Sequence, residues 1–230
     1  MPSSSRSRNP FVHAIVLVLG VARRERFRVA LIGGFALPFH GIQRATGDVD
    51  FLADARGSAA LHDALLAAGA RCLHQGTDAA NYARGTSRLS PVDFIFARRE
   101  RALDMLRRAG NRLLRGARLR VPVVDAEALI GLKLQALVNA PSRRAREEAD
   151  IQALFAAHRG SLNADLLRDY FVKRPADFII GAEVPDQASL RVPQRVRDLD
   201  EFLAFLAQLE AVFGPTERTR QLTTGDRFLL

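Results

Sequence analysis

The chain has 230 residues, 48% hydrophobic and 26% charged, enough for a sizeable core in one domain or two small ones, and no stretch is low-complexity. Cys72 is the single cysteine, which excludes an intramolecular disulfide and a thiolate zinc site, and His13, His40, His62, His74 and His158 show no metal-ligand spacing. The net charge of +9 is uneven: residues 1–125 hold 20 arginines against 10 acids, residues 126–230 hold 14 basic residues against 15 acids. A basic first half suits a polyanionic substrate such as an NTP or RNA, although 32 arginines against two lysines also fits a bias that scatters arginine everywhere. A lone cysteine fits a reducing, cytoplasmic compartment.

Arg6 and Arg8 precede an apolar run at 11–22 that has the outline of a secretory signal and is too short for a membrane span. Arg23, Arg24, Arg26 and Arg28 continue beyond it into the next apolar stretch, so a buried first helix is the reading adopted. A strand near 28–32 leads to Gly33-Gly34 and a short helix, where Pro38 is tolerable only in the first turn and Gly41 is the end. After a polar loop at 43–47, Val49, Phe51 and Leu52 mark a strand carrying Asp48 and Asp50. Ser58 is expected to cap a helix reaching about Ala68. Short strands are expected at 71–74 and around Tyr82, with turns at Gly76 and Gly85, then a strand at 91–96 with Asp93 as its one charge. Residues 99–109 read as helix, and 113–114 with 119–124 as a hairpin around Arg115-Gly116. Asp125 is placed as the cap of a helix at 126–139, followed by helices at 145–158 and about 163–173. A proline-rich loop at 175–197, an amphipathic helix at 199–213 and a polar tail complete the chain. Strands and helices followed by helices alone predict an α+β catalytic domain at 1–124 and a mainly helical region at 125–230 packed against it.

The chemistry gathers around Asp48-Val49-Asp50. Alternate residues of a strand face one way, so the two carboxylates share a face and need a cation or a proton. Oxygen ligands of this kind favour Mg²⁺ completed by water and substrate phosphates. Gly33-Gly34, at a strand-to-helix turn, offers backbone N–H groups and a helix N-terminus to an anion. If the strand of Asp93 neighbours that of Asp48 and Asp50, three carboxylates meet at one sheet edge, as two-metal phosphoryl transfer requires; alone, Asp93 is an edge charge. Lys133, one of two lysines, lies among Leu132, Leu134, Leu137 and Val138, either beside a phosphate or at a helix edge with its stem on apolar surface. Asp150 pairs with or orients Lys133, or is an exposed helix charge. Arg44 and Thr46 contact phosphate or fix the loop before the acids. Arginines from Arg98 to Arg120 form a candidate RNA track, but one without aromatic residues for base stacking, so a solvated basic face is the simpler reading.

Gly33-Gly34, thirteen residues, then Asp48-Val49-Asp50-Phe51 resembles the signature of the DNA polymerase β-like nucleotidyltransferase superfamily, with Asp93 in the place of its third acid. Within it, the glycine pair with Arg44, Thr46 and the acids, followed by Leu129-Ile130-Gly131-Leu132-Lys133 and Asp150 in a basic helical run, resembles the bacterial AbiEii-type nucleotidyltransferases, many of them toxins of toxin–antitoxin pairs. The resemblance covers about residues 28–157. It implies a polymerase β-like fold, a small mixed sheet with flanking helices, and Mg²⁺-dependent transfer of NMP from an NTP to an acceptor hydroxyl. Asp48 and Asp50 would hold two ions, Asp93 would complete the metal site, Gly33 and Gly34 would meet the phosphates, and Lys133 would meet the charge on pyrophosphate. The implied acceptor is a tRNA 3′ end, other RNA or a protein side chain, and the implied partner a cognate antitoxin; no membrane is involved. An antibiotic-like small molecule as acceptor and a non-catalytic interaction module are the alternatives. Gly34 stands where many relatives have serine, so a phosphate contact there falls to the backbone N–H.

Overall fold

A computed structural model describes residues 9–139, 143–163 and 165–167. They fall into two compact units, one ending at Asp125 and one beginning at Ala126.

The first unit opens with helix α1, Pro10–Arg24, whose Asn9 side chain accepts from the Phe11 N–H while Pro10 occupies the first turn. Ala14, Ile15, Val18, Val21 and Ala22 are its buried stripe, the spacing of one helix face. The run at 11–22 is therefore a packed helix of this unit. Strand β1, Val29–Ile32, is buried at all four positions, as befits the interior of a sheet. It runs into a single helical turn, α2, Gly33–Ala36, and a 3₁₀ turn, Leu37–His40, with Pro38 at its start and Gly41 (φ +83°) at its end. Strand β2 spans Val49–Asp54. The next helix, α3, Ser58–Ala67, differs from expectation at its start: Gly57 is the cap residue and Ser58 is already helical. The reason is a 3₁₀ turn, Ala55–Gly57, capped by Asp54 and running directly into α3.

Strands β3 (Arg71–Gln75), β4 (Ala79–Ala83) and β5 (Val92–Ala97) follow, then helix α4 (Glu100–Arg108) and the hairpin β6 (Gly110–Leu114) and β7 (Leu119–Val123). The hairpin begins three residues before its expected first strand. Asn111, Arg112 and Leu113 are exposed there, so no apolar pattern announces the strand. The described strands make one mixed sheet of seven, in the order β3-β4-β5-β2-β1-β7-β6. β2 lies antiparallel to β1 and parallel to β5, and β7 lies parallel to β1. Phe51, Phe94 and Phe96 stack across β2 and β5 at centroid separations of 5.7 and 5.9 Å, with Tyr82 edge-on to Phe94. This aromatic core packs against the β2–β5 pair, and both strands bear acids.

In the second unit α5 (Ala126–Asn139) packs with α6 (Arg144–Ala157). The Asn163 carboxamide accepts from the Asp165 and Leu166 N–H groups, the start of the helix expected at 163–173. The remainder of that helix, the loop at 175–197, the helix at 199–213 and the tail lie outside the described residues. No helix among the described residues is long and apolar enough to cross a membrane.

Candidate active site

Register brings the acids together. In the parallel β2–β5 pair Asp50 is the partner of Asp93, so both stand on the same face of adjacent strands. Asp48 lies two residues before Asp50, immediately ahead of β2, and keeps the same parity. Carboxylate oxygens, one from each of Asp48, Asp50 and Asp93, lie within 4.8 Å of one another, and all three residues are half-buried. The cluster offers oxygen donors only, the donor set of a hard divalent cation.

The glycine pair is explained by the same cluster. Gly33 has φ +62°, and a Cβ built on it would stand 2.0 Å from Asp50 Oδ2. The turn leaving β1 thus passes directly over the Asp50 carboxylate, and a side chain is excluded by both conformation and space. A Cβ on Gly34 would stand 2.9 Å from Thr46 Oγ1, whose hydroxyl donates to Asp48 Oδ1 at 2.8 Å. Thr46 therefore fixes an acid. The serine that many relatives carry at the Gly34 position would crowd this threonine. The helix that begins with the two glycines is one turn long and has no side-chain cap, so its backbone N–H groups, more than a macrodipole, are what it offers an anion. His40 Nε2 contacts the Val124 carbonyl at 3.0 Å and anchors the following 3₁₀ turn to the end of β7.

Asp54 shares the parity of Asp48 and Asp50 at the far end of β2 but serves the fold. Arg56 donates to it from Nη2 at 2.6 Å and from its backbone N–H at 3.0 Å, and the side-chain hydrogen bond holds its carboxyl below the usual range.

Beside Gly34 and Thr46 opens a cleft of about 950 Å³, lined by Phe11, Phe35, Phe39, Arg44, Arg112 and Arg115 among others. The arginine run read as one track is divided. Arg98 pairs with Asp78, Arg107 with Glu100 and Asp104, and Arg108 with Asp104 and Asp125. Arg112 and Arg115 instead face the cleft.

The profile of the family described as "Nucleotidyl transferase AbiEii toxin, Type IV TA system" matches residues 21–219. The chain belongs to the AbiEii family. No curated protein matches this AbiEii-family chain. Among solved structures it is similar to the antibiotic-resistance factor ANT(2″)-Ia in solution, at 14% identity and TM-score 0.51 over 69% of this chain and 88% of that one. The crystal structure of ANT(2″)-Ia with adenylyl-2″-tobramycin matches at 15% identity and TM-score 0.50 over 69% and 95% of the two chains. MenT4, a nucleotidyltransferase toxin from Mycobacterium tuberculosis H37Rv, matches at 16% identity and TM-score 0.47 over 94% and 87%. The likeness to ANT(2″)-Ia is one of fold alone, a nucleotidyltransferase fold; the reaction class, nucleotidyl transfer, comes with the family.

Two of the residues that resemblance marked lie in the second unit of this AbiEii chain. Lys133 Nζ on α5 donates to Asp150 Oδ2 at 2.5 Å and to Glu147 Oε2 at 2.8 Å on α6, and all three are buried. The expected pairing of Lys133 with Asp150 is present, and burial removes the reading of Lys133 as a helix-edge lysine. Glu147 does not stand out from sequence, although its spacing of three from Asp150 puts both on one helix face. Asn81 is equally silent there: in the antiparallel β4–β5 pair it is the register partner of Asp93, a relation only the fold reveals.

Proposed function

We propose that this protein is a Mg²⁺-dependent nucleotidyltransferase that passes an NMP group from an NTP to an acceptor hydroxyl, as the toxin of a toxin–antitoxin pair. The observation that carries the reading is the cluster of three carboxylates, Asp48, Asp50 and Asp93, with oxygens within 4.8 Å of one another. Three acids at that separation fit divalent cations, and Asp48, Asp50 and Asp93 are the residues that would hold them. Bound Mg²⁺ would supply charge neutralisation and Lewis-acid polarisation of the phosphoryl group. In the transfer, the acceptor oxygen bonds to the α-phosphorus, the bond from that phosphorus to the leaving oxygen breaks, pyrophosphate departs, and the hydroxyl proton passes to solvent.

The protein's own contribution is positioning. Thr46 holds one oxygen of Asp48 and leaves the other for a metal. Gly33 and Gly34 let backbone approach both the acids and a phosphate chain, and Arg44 meets phosphate charge from the same loop. Lys133 is assigned the charge that develops on pyrophosphate. That assignment rests on the family resemblance; within its own unit the ammonium is held by Glu147 and Asp150.

The acceptor class is argued from charge. Tobramycin, the antibiotic named with ANT(2″)-Ia, is a polyamine, and a cleft lined by Arg44, Arg112 and Arg115 with no carboxylate repels such a molecule. A polyanion, a tRNA 3′ end first among the candidates, is favoured over it. Incubation with labelled NTPs, Mg²⁺ and total RNA, beside protein and aminoglycoside acceptors, tests the proposal. Label is expected on RNA, with at least a 100-fold loss in Asp50→Asn; transfer that survives Asp50→Asn would refute the assignment of the acids.

A further inference from the structure

We infer that Asn81 selects the acceptor, taking the hydroxyl next to the attacking one on a terminal ribose, with Arg71 and His74 meeting the phosphate behind it. This role rests on the nucleotidyl-transfer reading. Register carries one polar row across four strands: Asp50 on β2 pairs with Asp93 on β5, Asp93 with Asn81 on β4, and Asn81 with His74 on β3. Register partners share a face, so all four side chains stand on the same side of the sheet. The place of His74 depends on an irregularity. β3 slips register between Cys72 and His74, which brings His74 rather than Leu73 opposite Asn81. Arg71 is the partner of Ala83, two residues beyond Asn81, and so lies on this face as well.

The Asn81 carboxamide is half-buried and makes no hydrogen bond among the described residues. Its neighbours on that face of β4 are Ala79 and Ala83, so the strand raises nothing longer than a methyl group beside it. Arg71 and His74 are exposed and have no acidic partner among the described residues. In an in-line displacement the attacking and leaving oxygens stand on opposite sides of the phosphorus. The turn at Gly33 passes over Asp50, which puts the pyrophosphate flank on the β1 side. The attacking oxygen then comes from the β4 side, over Asp93. Neighbouring strands are about 4.8 Å apart, so Asn81 lies one strand from Asp93 and β3 roughly 10 Å away. A ribose with its 3′ oxygen at Asp93 sets its 2′ hydroxyl toward Asn81, whose carbonyl accepts and whose NH₂ donates. The preceding phosphate falls toward β3, where Arg71 and His74 favour an anionic acceptor over a polyamine sugar with the same vicinal hydroxyls.

Steady-state transfer by the full chain from labelled NTP with Mg²⁺ tests this, using the RNA that takes label, made with a terminal ribose or a terminal 2′-deoxyribose. The parent is expected to prefer the ribose end by about ten-fold in kcat/KM, the worth of one hydrogen bond. Asn81→Ala is expected to lose that preference while KM for NTP stays unchanged. Thermal melts of Asn81→Ala are expected to rise with Mg²⁺ as the parent's do, because the carboxamide is not a metal ligand. Arg71→Ala is expected to keep the preference, to raise KM for RNA and to lower the salt dependence of that KM by a slope of about 0.7, one phosphate's share. The role of Asn81 is refuted if Asn81→Ala keeps the preference, if the parent shows none, or if an aminoglycoside takes label in place of RNA. Loss of the Mg²⁺ shift in Asn81→Ala also refutes it, placing the residue in the metal site. A parent that transfers to no acceptor at all would instead defeat the nucleotidyl-transfer reading, and this role with it.

Discussion

At Gly33 two demands coincide, a left-handed backbone and contact with a carboxylate. An alanine there adopts φ +62° at a cost of about 1–2 kcal/mol. Its Cβ would also lie 2.0 Å from Asp50 Oδ2, so either the turn or the acid must move. Gly33→Ala is therefore expected to fold with a modest loss of stability and to lose transfer activity by about 100-fold, the scale of an ångström's misplacement of a reacting group. Gly34→Ala needs no left-handed backbone and meets only the Thr46 side chain, Oγ1 at 2.9 Å and Cβ at 3.1 Å, so a small shift of Thr46 admits it and its loss should be smaller. Chemical denaturation with a transfer assay on both variants checks this; a Gly33→Ala protein of full activity would mean that the Asp50 carboxylate need not be where it is. The acids themselves are legible in the sequence because Asp48, Asp50 and Asp93 interrupt apolar strands, where charge needs a reason. The bond from Thr46 to Asp48 and the neighbourhood of Asn81 are not, because neither leaves a local pattern in the chain.

Elements are legible in proportion to their burial. β1 and β5 read clearly because interior strands are apolar runs, whereas four of the five residues of β3 are exposed and β6 has three exposed residues at its centre, so edge strands carry little period to read. Ser58 reads as a cap because its side-chain chemistry is right for one, but the preceding 3₁₀ turn supplies the entry. Between α5 and α6 the informative feature is a buried cation held by two carboxylates. Lys133→Met leaves Glu147 and Asp150 facing one another without a cation, and breaking such a cluster costs about 3–5 kcal/mol. Chemical denaturation of Lys133→Met is expected to show that loss, and of Lys133→Met/Glu147→Gln/Asp150→Asn to recover most of it. If the single variant is as stable as the parent, the lysine does not bind these helices together and its assignment to phosphate is the whole of its role.

For the molecule as a whole, the site sets function against stability. Three carboxylates with oxygens within 4.8 Å repel one another in a metal-free protein, and removing one relieves an energy on the order of 1 kcal/mol in a half-solvated setting. In a chelator, Asp50→Asn should then melt above the parent by about 2–4 °C, the shift 1 kcal/mol produces in a chain of this size. Mg²⁺ at a hundred times its dissociation constant adds about 2.7 kcal/mol to a protein that binds it only when folded. The parent gains that increment and the variant, missing a ligand, gains little, so the order of melting reverses on adding Mg²⁺. Thermal melts followed by circular dichroism, with EDTA and across a Mg²⁺ titration, read both limbs. A structural acid cluster would behave oppositely: Asp50→Asn would melt lower in EDTA, and Mg²⁺ would move neither protein. The crossing is thus a test of the proposed metal site that needs no acceptor: it asks whether the local acidic exception in the basic half of the chain is one that a divalent cation completes.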